Sequence, residues 1–343
     1  MTTNQFPNDI SRPLVTLLVC AYEQEQVIKQ AVNAALAQTY TPLEIIFSDD
    51  ASTDKTFSII EEATNNYSGI HRIQIRRNST NQGISAHFSL LASLSQGELL
   101  FVCAGDDLSD PLRCERIVKH WLAMNKRPDL IATDLIDIDI SGKAHRVIQH
   151  CELDSLTITQ WLQARPWIVG ASHVWSKRLF DRFGPMRPGA HAEDQIMLLR
   201  ALLAGGATTL HEPLVSWRRG GLSSKKRHAN LNALLAHMYR GNQAGLAVLE
   251  QQLADAQTAG LYGPVQLALS QEICRVRYTK SILEANTTKK RLQAFISAQQ
   301  VPISRRLRLL GYTLLPWLYD PFIRLKARVC APQRGDAAGR PAK

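Results

Sequence analysis

Three pairs of adjacent carboxylates stand out in this 343-residue sequence: Asp49-Asp50 within Ser48–Asp54 (SDDASTD), Asp106-Asp107 after Ala104-Gly105, and Glu193-Asp194. His87, His173, His191 and His211 show no metal-ligand spacing, and the six cysteines include no C-x-x-C, so the acids have no soft partners. Carboxylate oxygens alone suit a hard divalent cation, Mg²⁺ or Mn²⁺, completed by waters and the phosphates of a substrate. A diphosphate is then the natural ligand, because a bound cation stabilises the negative charge that develops as it departs. A carboxylate within reach can also take the proton of an attacking hydroxyl.

The elements that must hold these acids follow from hydrophobic periodicity. Leu14–Cys20 (LVTLLVC) reads as a strand and Glu25–Gln38 as a helix. The cycle repeats with a strand at Leu43–Ser48 and a helix at Lys55–Tyr67. It repeats again with Arg72–Arg76 and Ile84–Leu94, and a fourth strand follows at Glu98–Cys103. Strands alternating with helices imply βαβ units, an α/β class and a mainly parallel sheet covered on both faces. Such sheets bind ligands beyond the carboxyl ends of their strands, which is where the first two acid pairs fall. Further on, the pattern predicts a helix at 112–124, a strand at 130–138, a turn at Ser141-Gly142, a helix at 156–164 and a strand at 170–176. A helix at 192–203 ends at Gly205-Gly206 and carries Glu193 and Asp194 in its first turn. Residues 228–300 read as a series of helices.

The motifs LVTLLVCAYEQEQVI, IIFSDDASTDKT, NQGISAHF, the AGDD of Ala104–Asp107, and AHAEDQIMLLRAL together resemble the family 2 glycosyltransferases of the GT-A fold, over about residues 12 to 225. The resemblance implies transfer of a sugar from a nucleotide sugar, a UDP-sugar above all, to an acceptor hydroxyl with inversion at the anomeric carbon. A glycan or lipid-linked acceptor in cell-surface polysaccharide or lipopolysaccharide synthesis would be its partner. It further implies that Ala21, Tyr22 and Glu23 form a loop near the nucleotide. Asp49 and Asp50 match the acidic pair that meets the base, Asp50 being favoured, and Asn81 and Gly83 the segment closing over the nucleotide. Asp106 then lies near the ribose, Asp107 holds Mn²⁺ or Mg²⁺, and Asp194 is the catalytic base. His191 and Glu193 are near enough to Asp194 to meet the acceptor, and Arg218 and Arg219 are positioned in sequence to meet the diphosphate. The sequence departs from the Asp-x-Asp-Asp that many members carry at the metal motif, having Ala104 in the first position.

Other readings of the same residues remain open. Ser52, Thr53 and Asp54 also favour a helix cap, and Glu193-Asp194 alone is an ordinary helix start. A nucleotide-dependent oxidoreductase would need G-x-G-x-x-G after the first strand, where Ala21-Tyr22-Glu23 stands. A non-catalytic nucleotide-sugar-binding protein on the same scaffold is conceivable because of Ala104.

Charge divides the chain. Forty Lys+Arg against thirty Asp+Glu give +10, yet residues 1–225 hold 22 basic and 24 acidic side chains, and 226–343 hold 18 and 6. The expected organisation is a polar segment 1–12, a catalytic domain 13–225, a helical basic region 226–331 and a disordered tail 332–343. The polar start has no apolar h-region, and no apolar run reaches the roughly 18–20 residues of a spanning helix. Scattered cysteines fit a reducing compartment, so the expected location is the cytoplasm, peripheral on the inner membrane. Within 303–328 a Leu/Trp/Tyr/Phe stretch lies between basic clusters, which reads either as a solvated face or as an anionic-membrane surface. No nucleic-acid-binding module accompanies the charge, so no nucleic acid partner is expected.

Overall fold

The structure, a computed structural model, describes residues 12–219 and 228–329. Except for Arg12, the segment 1–12, the boundary expected at 225/226 and the tail 332–343 lie outside the described residues.

In chain order the elements of the first unit begin with β1 (Val15–Ala21), α1 (Ile28–Leu36), β2 (Leu43–Asp49), α2 (Thr56–Thr64), β3 (Arg72–Arg77), α3 (Ile84–Leu94) and β4 (Leu99–Ala104). They continue through β5 (Leu108–Ser109), α4 (Arg113–Ala123), β6 (Leu130–Ile138), β7 (Ala144–Ile148), α5 (Ile158–Gln163), β8 (Val174–Ser176), α6 (Lys177–Phe183), α7 (Glu193–Leu202) and β9 (Ala207–Arg218). The sheet runs β3-β2-β1-β4-β8-β6-β9-β5, with β7 hairpinned onto β6. The parallel order expected from the βαβ cycles holds across β3-β2-β1-β4. Beyond β4 the sheet is mixed: β8 is antiparallel to β4 and β6, and β9 is parallel to β6 but antiparallel to β5.

The strands read as unbroken apolar runs because both faces of the sheet are covered. Val15, Leu17, Val19 and Ala21 of β1 pack with Ile28, Val32 and Ala35 of α1 and with Ile117 and Trp121 of α4. Leu18 points to the other face, where Phe88 and Leu91 of α3 and Ile196 and Leu199 of α7 meet it in a second core. Helix α7 ends at Gly205-Gly206 as expected. Gly206 takes φ +87°, and the Gly205 N–H donates to Asp129 Oδ2 at 2.7 Å, where a side chain on Gly205 would collide.

Five helices follow: α8 (Leu231–Thr258), α9 (Tyr262–Glu284), α10 (Thr288–Ser297), α11 (Ile303–Leu314) and α12 (Pro316–Val329). They do not form one body separate from the sheet. Residues 247–268 belong to the compact unit built on the sheet, while 228–246 and 269–329 form the second unit. In the first unit Ala247, Val248 and Ala259 pack on the α7 core. The second unit has its own small core of Tyr278, Ile282, Val301 and Leu309.

Candidate active site

The four parallel strands end in register. Ala21 pairs with Asp49, Asp49 with Arg77, and Cys20 with Ala104, so the residues that leave each strand share one rim of the sheet. The ladder continues one residue further: Asp50 N–H donates to Ala21 O at 2.8 Å, Asn78 N–H to Asp49 O at 2.8 Å, and Gly105 N–H to Cys20 O at 2.7 Å. Ala21, Asp49, Asp50, Asp106 and Asp107 are thereby brought together.

On the β2 side, both acids are buried and occupied. Asp49 accepts from Ser52 N–H at 3.0 Å and pairs with Arg77 Nε at 3.1 Å. Asp50 Oδ1 accepts from Asn78 Nδ2 at 2.6 Å and Gln82 N–H at 2.9 Å, and its Oδ2 accepts from Gly83 N–H at 2.9 Å. Asp50 thus anchors the 78–83 loop. Gly83 sits at φ +77°, which glycine tolerates, and exposed Asn81 accepts from the same Gly83 N–H at 3.1 Å. Arg76 donates to Asn78 Oδ1 and to Ser48 Oγ, both at 2.6 Å, and Ser48 Oγ lies 2.5 Å from His87 Nε2. Burial pulls the His87 pKa down to about 4, so its ring is a neutral acceptor near neutral pH. A cavity of about 430 Å³ opens beside this loop, lined by Ala51, Ser52, Thr53, Arg77, Asn78 and Ser79.

The β1 loop is clamped to the β2 loop. Glu23 stands at φ 53°, its N–H donating to Ser52 Oγ at 2.9 Å and its Oε1 accepting from Thr53 N–H at 2.8 Å and Thr53 Oγ1 at 2.9 Å. Its carboxylate is thus engaged in joining the two loops. Half-buried Tyr22 donates its N–H to Gln24 Oε1 at 3.3 Å.

After β4, Gly105 passes so close to the α1 entry that a Cβ there would sit 2.8 Å from Ile28 Cδ1. This close approach delivers Asp106 and Asp107. Asp107 is 3% exposed and accepts Arg218 N–H on Oδ1 at 2.9 Å, which ties the end of β9 to it. Burial first and the adjacent Asp106 second push its carboxyl pKa well above the usual range. Burial likewise raises Asp106, against its own N–H, Arg218 and Gln24. A buried carboxylate of this kind keeps its charge when a cation meets it. The donor set fits one hard divalent ion with Asp107 as the protein ligand. Among the described residues no three acidic, His or Cys side chains are grouped to hold a metal ion, so substrate oxygens and waters would have to supply most of its ligands.

Glu193 and Asp194 open α7. Glu193 is buried against Gly170, where a Cβ would lie 2.9 Å from its Oε1. Asp194 is half-buried, with Oδ1 accepting Gln195 N–H at 2.7 Å. Burial, then the Asp194 charge, push the Glu193 pKa up to about 8; burial also raises Asp194. The first-turn position of α7 would by itself hold these carboxyls down, so desolvation overrides the helix dipole. The Cys20 thiol at the end of β1 is driven up mainly by burial, with smaller contributions from the charges of Asp50 and Glu193. His191 stays exposed at the entry to the helix.

The two arginines expected at a diphosphate are committed elsewhere. Arg218 is 3% exposed and donates Nε to Asp106 O at 3.0 Å, one terminal nitrogen to Asp139 O (3.0 Å) and Ile140 O (2.7 Å), and the other to Gln30 Oε1 at 2.8 Å. Arg219 forms a two-pronged ion pair with Asp137. Both close the β9 end of the sheet. Conversely, a search for acids misses Arg77 and Asn78. The rule that ligands lie beyond strand ends would reach them, since they leave β3 level with Asp49 and Asp50.

The strand order, the acid-lined rim and the α7 carboxylate pair define a GT-A fold, the architecture of enzymes that bind nucleotide sugars. Two solved structures share it. TarS 1–349 of S. aureus in complex with UDP-GlcNAc is 16% identical, with TM-score 0.54 and 94% of each chain covered. The mannosyltransferase PcManGT of Pyrobaculum calidifontis in complex with GDP-Man and Mn²⁺ is 16% identical, with TM-score 0.53, covering 96% of this chain and 90% of that one. Residues 16–174 match the model of Glycosyl transferase family 2. The succinoglycan biosynthesis protein ExoO of Rhizobium meliloti is 25% identical over 249 residues, 65% of this chain and 66% of that protein. The chain spans only 14% to 46% of the length of the relatives that match it at higher identity. Over residues 16–174, less than half of the chain, the sequence is that of a Glycosyl transferase family 2 domain.

Proposed function

We propose that the protein is an inverting glycosyltransferase that moves a sugar from a UDP-sugar to a hydroxyl of a glycan or lipid-linked acceptor in cell-surface polysaccharide synthesis. The carrying observation is the pairing on one rim of two buried acids, Asp50 anchored by its loop and Asp107 with a raised pKa, together with the carboxyl pair of buried Glu193 and half-buried Asp194 that opens α7. The likeness to ExoO supports the polysaccharide setting, and the likeness to TarS supports the UDP-sugar.

In the proposed reaction the acceptor oxygen forms a bond to the anomeric carbon while the bond from that carbon to the β-phosphate oxygen breaks, its electron pair leaving with UDP. Asp194 takes the acceptor proton, its basicity raised by burial. Glu193 stays protonated near neutral pH, which leaves Asp194 the single negative charge of the pair. Asp49, Asp50 and the loop from Asn78 to Gly83 bind the nucleoside, with Arg77 and Ala51–Thr53 lining its cavity. Asp106 lies at the ribose. Asp107 would hold Mn²⁺ or Mg²⁺, which when bound supplies Lewis-acid stabilisation of the departing diphosphate. Glu193 and His191 face the acceptor side. The location we propose is the cytoplasmic face of the membrane, where a nucleotide sugar and a lipid-linked acceptor can meet.

Release of UDP from nucleotide sugars, measured with and without Mn²⁺, tests the reading. Asp194→Asn should lower kcat by about 10²–10⁴-fold with donor affinity retained. Asp107→Ala should abolish the metal dependence together with most of the activity. Full activity in Asp194→Asn would remove the base from the scheme, and donor binding without turnover in the wild type would favour a non-catalytic binding protein.

A further inference from the structure

Helices α11 and α12 carry apolar side chains that their own unit leaves outside its core. On α12, Leu318, Phe322 and Leu325 recur at i, i+4 and i+7, the spacing of a face that packs on something, yet they are 41%, 66% and 59% exposed. Trp317 beside them is 71% exposed. On α11 the inward residue is Leu309, buried with Tyr278, Ile282 and Val301, whereas Ile303 and Leu307, four residues apart, are each 53% exposed. Apolar area of this extent, aromatic-rich and continuous along two consecutive helices, marks an interaction surface.

The charge around it is one-sided. Residues 288–329 contain nine Lys and Arg against one acid, Asp320, which already accepts from Leu231 N–H at 2.8 Å and pairs with Arg324 at 2.5 Å. Burial and its neighbours Arg308 and Arg275 pull the Arg305 pKa down, which shows cations crowded together.

We propose that this face docks on an anionic lipid bilayer, with Trp317, Leu318, Phe322 and Leu325 entering the interface and Arg308 and Arg324 at headgroup level. Charge decides the occupant. A second copy of the chain would bring two nearly acid-free cationic surfaces together, whereas a bilayer bearing phosphatidylglycerol supplies the missing negative charge. Among the described residues no helix is long and apolar enough to span a membrane, so the contact is one of lying on the surface. The inference gives a physical basis for the membrane location proposed above and is independent of the donor chemistry.

The test is co-sedimentation of the full chain with phosphatidylcholine vesicles, with and without phosphatidylglycerol, at low and high salt. Binding should require phosphatidylglycerol and weaken with salt. Trp317→Ser and Phe322→Ser should each lower partitioning roughly tenfold, and Arg308→Gln about fivefold. Phe322→Leu should keep most of it. Donor hydrolysis and melting temperature should stay unchanged in all four variants, so a failure here is distinguishable from a failure of the catalytic reading. Equal binding to neutral vesicles, or unchanged binding in Trp317→Ser together with Phe322→Ser, would overturn the proposal. So would light scattering that shows a dimer dissociated by those same substitutions.

Discussion

Asp255→Ala should destabilise the catalytic unit from a position 61 residues after Asp194 in the sequence. Arg200 lies on α7, two turns beyond the carboxyl pair, and is fully buried. Its Nε and one terminal nitrogen meet the two oxygens of Asp255 at 2.9 and 3.1 Å, and its other terminal nitrogen donates to Gly184 O at 2.8 Å. Asp255, 2% exposed, also accepts from Gln251 Nε2 at 2.8 Å, while Gln251 Oε1 holds Arg187 N–H at 2.8 Å. Removing the carboxylate leaves a guanidinium with no water and no counter-charge, a loss of about 3–5 kcal/mol. For a unit of this size that lowers the melting temperature by roughly 6–20 °C. The pair itself contributes less than this figure suggests, because much of the loss is the stranded charge. The double variant Arg200→Met with Asp255→Leu should therefore recover most of the stability. Calorimetry and urea unfolding of the two single variants and the double variant give the coupling energy directly. A loss below about 1 kcal/mol in Asp255→Ala would mean the pair behaves as an exposed one and would refute the argument. The same geometry predicts that a chain ended at residue 225 will not yield a folded catalytic domain, since it lacks 247–268.

The Glu193 pKa of about 8 lies above its ordinary value of 4.5, so between those limits the folded state holds a proton that the unfolded chain has released. Stability must therefore fall as pH rises through that window and level off above it. Glu193→Gln should remove this slope and any feature near pH 8 in the kcat profile while leaving the acid limb of Asp194; persistence of the pH 8 feature in the variant would exclude Glu193 as its source. Asn78→Ala removes the 2.6 Å donor to Asp50 and the acceptor of Arg76, and should raise the donor KM roughly tenfold with kcat nearly constant. A loss confined to kcat would instead place Asn78 in the chemical step.

What could be read in the sequence was what local periodicity dictates. The strand at 130–138 and the helix at 84–94 fall on the expected residues because each is a strongly patterned segment between clear breaks. Strand β9 carries no unbroken apolar or alternating pattern, since His211, Glu212 and Pro213 interrupt it. The fold absorbs them with register shifts opposite Thr133–Leu135, where Leu210 and Pro213 pair with consecutive residues of β6. Strand β7 is short and exposed over four of its five residues, and only the turn at Ser141-Gly142 marks its hairpin. Glu193 and Asp194 could be named, but the override of the helix dipole by burial depends on Gly170 and the α7 core, which lie far away in sequence. Arg218 and Arg219 show the converse limit: residue type displays a cation, and only tertiary contacts display where its donors go.

That last point bears on how the rim receives a diphosphate. The cations nearest its acids are hydrogen-bonded to the protein: Arg76 to Ser48 and Asn78, Arg77 to Asp49 and Ser52 O, Arg113 to Ser109 and Ala171, and Arg218 to three carbonyls and Gln30. They balance the charge of the carboxylates and fix their geometry, although Arg77, its side chain 46% exposed, also lines the cavity beside Asp49. A nucleoside diphosphate brought to this rim therefore meets carboxylates at short range in a partly desolvated setting, where like charges repel by several times their interaction in water. A divalent cation held by Asp107, as proposed above, would reverse that sign for both partners at once, offsetting the burial of the acid and the charge of the donor. Cation and donor should then bind as a linked pair, each raising the affinity of the other by the same factor. This coupling would follow from the engagement of Arg76, Arg113 and Arg218 with the protein as much as from the acids.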